Sequence, residues 1–141
     1  MLQIVHFASF IKQKKLTNMT NITVVGTGYV GLSLSVLLAQ HNKVIGVDIA
    51  RERVDAINAR KSPIIDAELS DYLAEKDLNL SASTDLNSSI VGADYVIVST
   101  PTNYDERTNF FDTSSVEEVI AHVIEGEPNA CIVVKSTIPV S

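Results

Sequence analysis

One segment constrains the fold of this chain more than any other: a glycine-rich turn, Gly26-Thr-Gly-Tyr-Val-Gly31, set between two apolar runs. Residues 22–25 form a short segment of β-branched, mostly apolar side chains, which is typical of a strand buried on both faces of a parallel sheet. Residues 29–40 carry apolar side chains at helical spacing, and residues 43–48 form the second apolar run. The segment therefore predicts a strand, a helix and a second, parallel strand.

The rest of the chain continues this alternation of strands and helices. Further strands are predicted at residues 78–82, 93–100 and 130–137, and further helices at residues 51–60, 68–76, 84–91 and from 114 onward. Such alternation predicts an α/β fold, a doubly wound parallel sheet of the Rossmann-like type with strand order 3-2-1-4-5. Residues 101–112 are predicted to be a polar loop. A complete fold of this class normally has a sixth strand, so the domain predicted for residues 19–141 is incomplete.

Residues 1–18 differ in composition from the sequence that follows them. They contain three lysines and no acidic residue, and their apolar stretch precedes the lysines, which is the reverse of the order in a signal peptide. We therefore expect a disordered or non-native extension, with Met19 as the natural start.

Composition excludes several classes of function for the 141-residue chain. A formal net charge of −6 argues against nucleic acid or an anionic membrane as a partner. Its apolar runs are too short to span a bilayer, and one cysteine cannot form an internal disulfide, so a cytoplasmic location is expected. Cys131 starts an apolar strand and is expected to be buried and inert. The three histidines have no partners at metal-ligand spacing, so no metal site is predicted.

The glycine pattern predicts a dinucleotide site. In a strand–turn–helix context, Gly26 permits the tight turn, Gly28 lets a diphosphate approach the backbone, and Gly31 lets helix and strand pack closely. Free N–H groups at the helix start bind phosphate without a cationic side chain. Asp48 follows Gly26 by 22 residues, where a carboxylate accepts hydrogen bonds from the adenosine ribose and repels a 2′-phosphate. NAD is therefore predicted over NADP; the alternative is a plain turn and a solvated strand end.

The ends of the fourth and fifth predicted strands carry further candidate site residues. Thr100 and Thr102 follow strand four, beside the predicted switch point between strands one and four, where such sheets bind ligands. Spacing alone leaves open whether they line the crevice or only terminate the strand. Lys135 and Thr137 are placed similarly on strand five, and for Lys135 a strand-end role is favoured over catalysis.

Several segments together closely resemble the amino-terminal NAD-binding domain of UDP-glucose 6-dehydrogenases. These are ITVVGTGYVGLSLSVLLAQ, VIGVDIARERVDAIN, KSPIIDAELSDYL, DYVIVSTPTNYD, NFFDTSSVEEVI and VVKSTIP, and the likeness covers residues 19–140. The resemblance implies oxidation of UDP-glucose to UDP-glucuronate with two NAD, through intermediates on a catalytic cysteine. It also implies a homodimer for the full-length protein.

The resemblance implies roles by position. Tyr29 and Val30 would lie at the pyrophosphate turn, and Asp48 and Arg53 would hold the adenosine ribose. Thr102 and Thr137 would approach the nicotinamide. Thr137 also matches a family threonine that positions the hydrolytic water, and it is the one catalytic residue expected in this chain.

The resemblance also leaves alternatives. The family's cysteine nucleophile and most of its UDP-glucose contacts come from sequence beyond residue 141, and Cys131 does not match that nucleophile. We therefore expect the isolated chain to be catalytically inactive. The alternatives are a non-catalytic nucleotide-binding fragment and a dehydrogenase of another nucleotide sugar, such as GDP-mannose.

Overall fold

The computed structural model describes residues 19–100, 103–105, 110–112 and 114–136. The strands are β1 (Asn21–Val25), β2 (Lys43–Val47), β3 (Leu80–Ser83), β4 (Tyr95–Val98), β5 (Asn103–Asp105), β6 (Phe110–Asp112) and β7 (Cys131–Val134). Five of them form a sheet in the order β3-β2-β1-β4-β7, in which every neighbouring pair is parallel. Because β7 is the fifth strand of the predicted series, the predicted fold class and strand order are confirmed. Residues 1–18, Thr102 and Thr137 lie outside the described residues.

The helices alternate with these strands. They are α1 (Tyr29–Leu38), α2 (Arg51–Asn58), α3 (Ala67–Glu75), α4 (Leu86–Ser89) and α5 (Ser114–Gly126). Aspartates begin two of them: the Asp66 carboxylate accepts from Leu69 N at the start of α3, and that of Asp85 accepts from Asn87 N at the start of α4. Such side-chain caps satisfy N–H groups that have no partner within the helix.

The sheet is covered on both faces. On β1, Ile22 and Val24 belong to one core cluster, whose other members include residues of α1, α2 and α3. Val25 belongs to a second cluster, which contains residues of α5 and has Leu86 of α4 packed against it. This alternation follows from the two-residue period of a strand, and it explains why the buried strands read as nearly continuous apolar runs.

A short antiparallel pair was not predicted. β5 pairs with β6 in the register Asn103 with Asp112, Tyr104 with Phe111 and Asp105 with Phe110. The prediction of a loop through residues 101–112 is therefore wrong for these six residues. Aromatic residues favour strands, but three-residue strands are too short to give a recognisable alternating pattern.

The outer strand β7 corrects a second prediction. Cys131 is exposed, whereas the sequence predicted a buried cysteine. Within the described residues β7 pairs only with β4, and the other three residues of β7 are half-buried. An apolar strand at the edge of a sheet is thus less covered than its sequence suggests.

Across the described parts of the chain, no helix has the length and apolar character needed to cross a membrane.

Candidate functional site

The glycine turn lies at the carboxyl edge of the sheet, between β1 and α1. Gly26 has a φ of +97°, and a Cβ placed on it would lie 2.6 Å from the carbonyl oxygen of Ser99. Its N–H donates to the carbonyl of Val47 at the end of β2 over 2.7 Å. The turn is therefore wedged between the ends of β2 and β4, and only glycine has both the conformation and the room.

The other two glycines of the turn have opposite surroundings. A Cβ on Gly31 would collide with the carbonyl oxygen of Gly26 and would lie 2.9 Å from its carbonyl carbon. The absence of a side chain at Gly31 thus lets α1 pack directly on the turn. Around Gly28 no atom of the described residues lies within 4 Å of such a Cβ. The backbone at Gly28 therefore faces open space at the start of α1.

The N-terminus of α1 has no internal cap. Gly28 is its N-cap residue and supplies no side-chain hydrogen bond, and the first turn contains no acidic residue. This differs from α3 and α4, whose first N–H groups are satisfied by aspartates. Tyr29 and Val30, at the start of α1, are 48% and 38% exposed. Free N–H groups at the positive end of a helix are the usual arrangement for binding phosphate.

Asp48 follows β2 and faces the glycine turn. Its Oδ2 atom accepts from Thr27 N at 3.0 Å and from Thr27 Oγ1 at 2.6 Å, and its Oδ1 atom accepts from Ala50 N at 2.9 Å. Arg53, on α2, donates through Nη1 to the Thr27 carbonyl over 3.1 Å. A carboxylate and a guanidinium therefore hold the turn from the β2 side.

These contacts determine the ionisation of Asp48. Partial burial is the largest single influence and by itself raises the pKa, but the Thr27 hydroxyl, the N–H groups of Ala50 and Thr27, and the charge of Arg53 together outweigh it. The pKa of Asp48 is consequently held below its ordinary value of 3.8. Hydrogen bonds and an opposite charge favour the ionised form, so the carboxylate is negative at neutral pH.

A lowered pKa makes stability depend on pH. The charge of Asp48 stabilises the fold above the ordinary pKa of 3.8, and this contribution is lost as pH falls through the lower pKa of the folded state. We expect the difference in unfolding free energy between the unchanged chain and Asp48→Asn to be constant above about pH 5 and to shrink below about pH 4. Urea unfolding at a series of pH values measures it. A difference that does not change down to about pH 3 contradicts the expectation.

The end of β4 lies on the other side of the glycine turn from the end of β2, and the open space at Gly28 beside the turn is called the crevice below. The hydroxyl of Thr100 is buried and has no hydrogen-bond partner among the described residues, while its carbonyl accepts from Ser136 Oγ at 2.6 Å. Unpaired buried hydroxyls are unusual, because they lose hydration without compensation. Open space at Gly28, an uncapped helix end, the Asp48 carboxylate and this hydroxyl all fit a dinucleotide at the β1–β4 switch point. Among the described residues no cluster of three or more His, Cys, Asp or Glu residues could hold a metal ion.

Thr27 and its contacts were missed at the level of sequence. The glycine pattern leaves the residue between its first two glycines unspecified, so spacing gives no role to its side chain. The one available signal is a polar residue at that position together with an acid at the end of the next strand, and it was not used. Of the other predicted site residues, Gly26, Gly28, Gly31, Asp48 and Arg53 all lie around the turn.

The fold and this site define a dinucleotide-binding domain of the Rossmann type. Residues 20–141 match the NAD binding domain of the UDP-glucose/GDP-mannose dehydrogenase family, and the chain belongs to that family. The resemblance predicted from the sequence, including NAD as the cofactor, is confirmed.

Individual relatives agree with this assignment. The chain is 52% identical over 118 residues to a UDP-glucose 6-dehydrogenase of Streptococcus pneumoniae, covering 84% of this chain and 30% of that protein. It is 35% identical over 121 residues to the Campylobacter jejuni UDP-glucose 6-dehydrogenase, covering 84% and 31%. A ternary complex of GDP-mannose dehydrogenase from Pseudomonas aeruginosa superposes with a TM-score of 0.75 at 27% identity, covering 84% and 29%. The chain thus spans less than a third of the length of each of these relatives.

Proposed function

We propose that residues 19–141 are the NAD-binding portion of an oxidoreductase that converts UDP-glucose to UDP-glucuronate with two NAD. The observation that carries this proposal is the uncapped start of α1, open at Gly28, with the Asp48 carboxylate one strand away. The uncapped helix start suits a diphosphate, and the carboxylate suits an adenosine ribose without a 2′-phosphate.

Each residue then has a distinct task. Gly26, Gly28 and Gly31 shape the turn, and the N–H groups of Tyr29 and Val30 donate to the diphosphate. Asp48 and Arg53 hold the adenosine ribose, which lies beside their contacts with Thr27. Thr102 and Thr137 are proposed to approach the nicotinamide, with Thr137 also positioning water for hydrolysis. Bound NAD supplies a hydride acceptor at the carboxyl edge of the sheet.

UDP-glucose is favoured as the substrate because the chain is 52% identical to the Streptococcus pneumoniae UDP-glucose 6-dehydrogenase and only 27% identical to the Pseudomonas aeruginosa GDP-mannose dehydrogenase. GDP-mannose is the second candidate, because the matching Pseudomonas aeruginosa structure is a GDP-mannose dehydrogenase. We further propose that the full-length protein is a cytoplasmic homodimer. The exposed, unpaired thiol of Cys131 is consistent with a reducing compartment.

The isolated chain is proposed to bind NAD without oxidising the sugar. Cys131 is the first residue of β7, so it lies at the amino edge of the sheet, whereas the crevice lies at the carboxyl edge. The four-residue strand separates the two edges by about 10 Å, which is too far for Cys131 to act as the nucleophile. A thioester route therefore has no thiol near the glycine turn among the described residues.

Calorimetry and absorbance together test this proposal. We expect the purified chain to release or absorb heat on NAD injection and to produce no NADH from UDP-glucose and NAD, because it can bind but lacks a placed nucleophile. NADP injected at the same concentration is the matched control and is expected to bind more weakly. Steady NADH production would overturn the proposed inactivity, and an absence of any NAD binding would overturn the proposed site.

A further inference from the structure

Thr27 lies between two glycines of the turn, is 0% exposed and hydrogen-bonds to both Asp48 and Arg53. Its N–H and its hydroxyl both donate to the same atom, Asp48 Oδ2, and its carbonyl accepts from Arg53. Its methyl carbon lies only 3.3 Å from where a Cβ on Gly46 would be, so the missing side chain at Gly46 gives the Thr27 side chain its place against β2. Thr27 is thus fully buried, and its two hydrogen bonds to one carboxylate oxygen hold its side chain in place.

We propose that Thr27 is a positioning residue that fixes the Asp48 carboxylate and thereby sets the preference for NAD over NADP. The inference rests on the proposed function, because it assumes that the adenosine ribose lies at Asp48. A carboxylate has about four acceptor positions, two on each oxygen. Two donors already occupy Oδ2 and Ala50 N occupies one position on Oδ1. One position on Oδ1 is left, which suits a single ribose hydroxyl.

Selectivity follows from the immobility of this carboxylate. A 2′-phosphate would replace the donating hydroxyl with a second negative group, facing an anion that cannot swing away. Arg53 acts in the opposite direction, since a nearby arginine is the usual partner of a 2′-phosphate. If the carboxylate were free to rotate, the attraction between Arg53 and the 2′-phosphate would outweigh the repulsion by Asp48, and NADP would bind better relative to NAD. In this arrangement the Thr27 hydroxyl keeps the repulsion of a 2′-phosphate by Asp48 stronger than its attraction by Arg53.

Two matched pairs of variants of the full 141-residue chain test the role of the hydroxyl. Thr27→Val keeps the shape of the side chain and removes the donor, while Thr27→Ser keeps the donor and removes the methyl group. Thr27→Ala differs from Thr27→Ser by the hydroxyl alone, so this pair gives the same comparison if the valine variant does not fold. The measurement is the ratio of the NADP to the NAD dissociation constant, by calorimetry.

We expect this ratio to fall about tenfold in Thr27→Val and Thr27→Ala, because a hydrogen bond to a charged group is lost. Thr27→Ser is expected to keep the ratio of the unchanged chain, whatever its effect on stability. A purely structural residue would weaken both dinucleotides equally, and equal ratios in all variants would overturn the inference while leaving NAD binding established. A failure of the unchanged chain to bind NAD would overturn the proposed function and the inference together.

Discussion

Gly31→Ala is expected to destabilise the folded chain by about 3 kcal/mol or more, as overpacking does where the obstacle cannot move aside. The added methyl group would collide with the Gly26 carbonyl, which is backbone, and would also meet the Ser99 side chain at 3.4 Å. Relief requires α1 to separate from the turn and from the end of β4. Urea unfolding followed by circular dichroism measures the loss, and NAD calorimetry should show no binding by the variant.

Gly28→Ala is the matched control, since it adds the same methyl group three residues earlier. Its Cβ meets no atom of the described part of the chain within 4 Å, and the φ of −69° at Gly28 is open to alanine. Stability should therefore be unchanged or higher by up to about 1 kcal/mol. NAD affinity should fall at least about tenfold, because the methyl group takes the space proposed for the diphosphate. Full NAD affinity in Gly28→Ala would mean that the diphosphate lies elsewhere.

Asp48→Ala is expected to reverse or abolish the preference for NAD. The variant removes the acceptor of the ribose hydroxyl, so NAD should bind about 10- to 100-fold more weakly. It also removes the charge that repels a 2′-phosphate and leaves Arg53 at the same place. NADP affinity should accordingly rise. Calorimetric titration with both dinucleotides measures the two effects separately.

Two further variants show whether the effect of Asp48→Ala on dinucleotide affinity comes from the position of the Asp48 charge or from the loss of any negative charge. Asp55→Asn removes an exposed carboxylate from α2, the helix that carries Arg53, and should leave both affinities unchanged. Asp48→Asn keeps an oxygen acceptor while removing the charge, so it should lose less NAD affinity than Asp48→Ala. An unaltered preference for NAD in Asp48→Ala would show that the ribose does not lie at this carboxylate.

The sequence predicted the main sheet well because its three central strands, β1, β2 and β4, are largely buried. Runs such as residues 22–25 are then apolar at every position but one, and a glycine follows β1 and an aspartate follows β2. β5 and β6 were missed because they are too short for an alternating pattern. The exposure of Cys131 was missed because a strand's position at the edge of a sheet is a property of the whole fold.

The site was predictable to the extent that its chemistry resides in the backbone. Gly26 and Gly31 are required by local conformation and close packing, and both requirements leave a glycine in the sequence. The hydroxyl of Thr27 acts through a side chain 21 residues away, so no spacing rule describes it. The unpaired hydroxyl of Thr100 likewise depends on the packing of neighbouring strands.

The double hydrogen bond from Thr27 to Asp48 has a kinetic consequence. Since the turn is already tied to the end of β2 before any dinucleotide arrives, the ligand meets a receptor that needs little rearrangement. Encounter rates for NAD and NADP should then be similar, because neither has to wait for the turn to form. Their difference in affinity would reside in how long each stays bound, as is usual for closely related complexes.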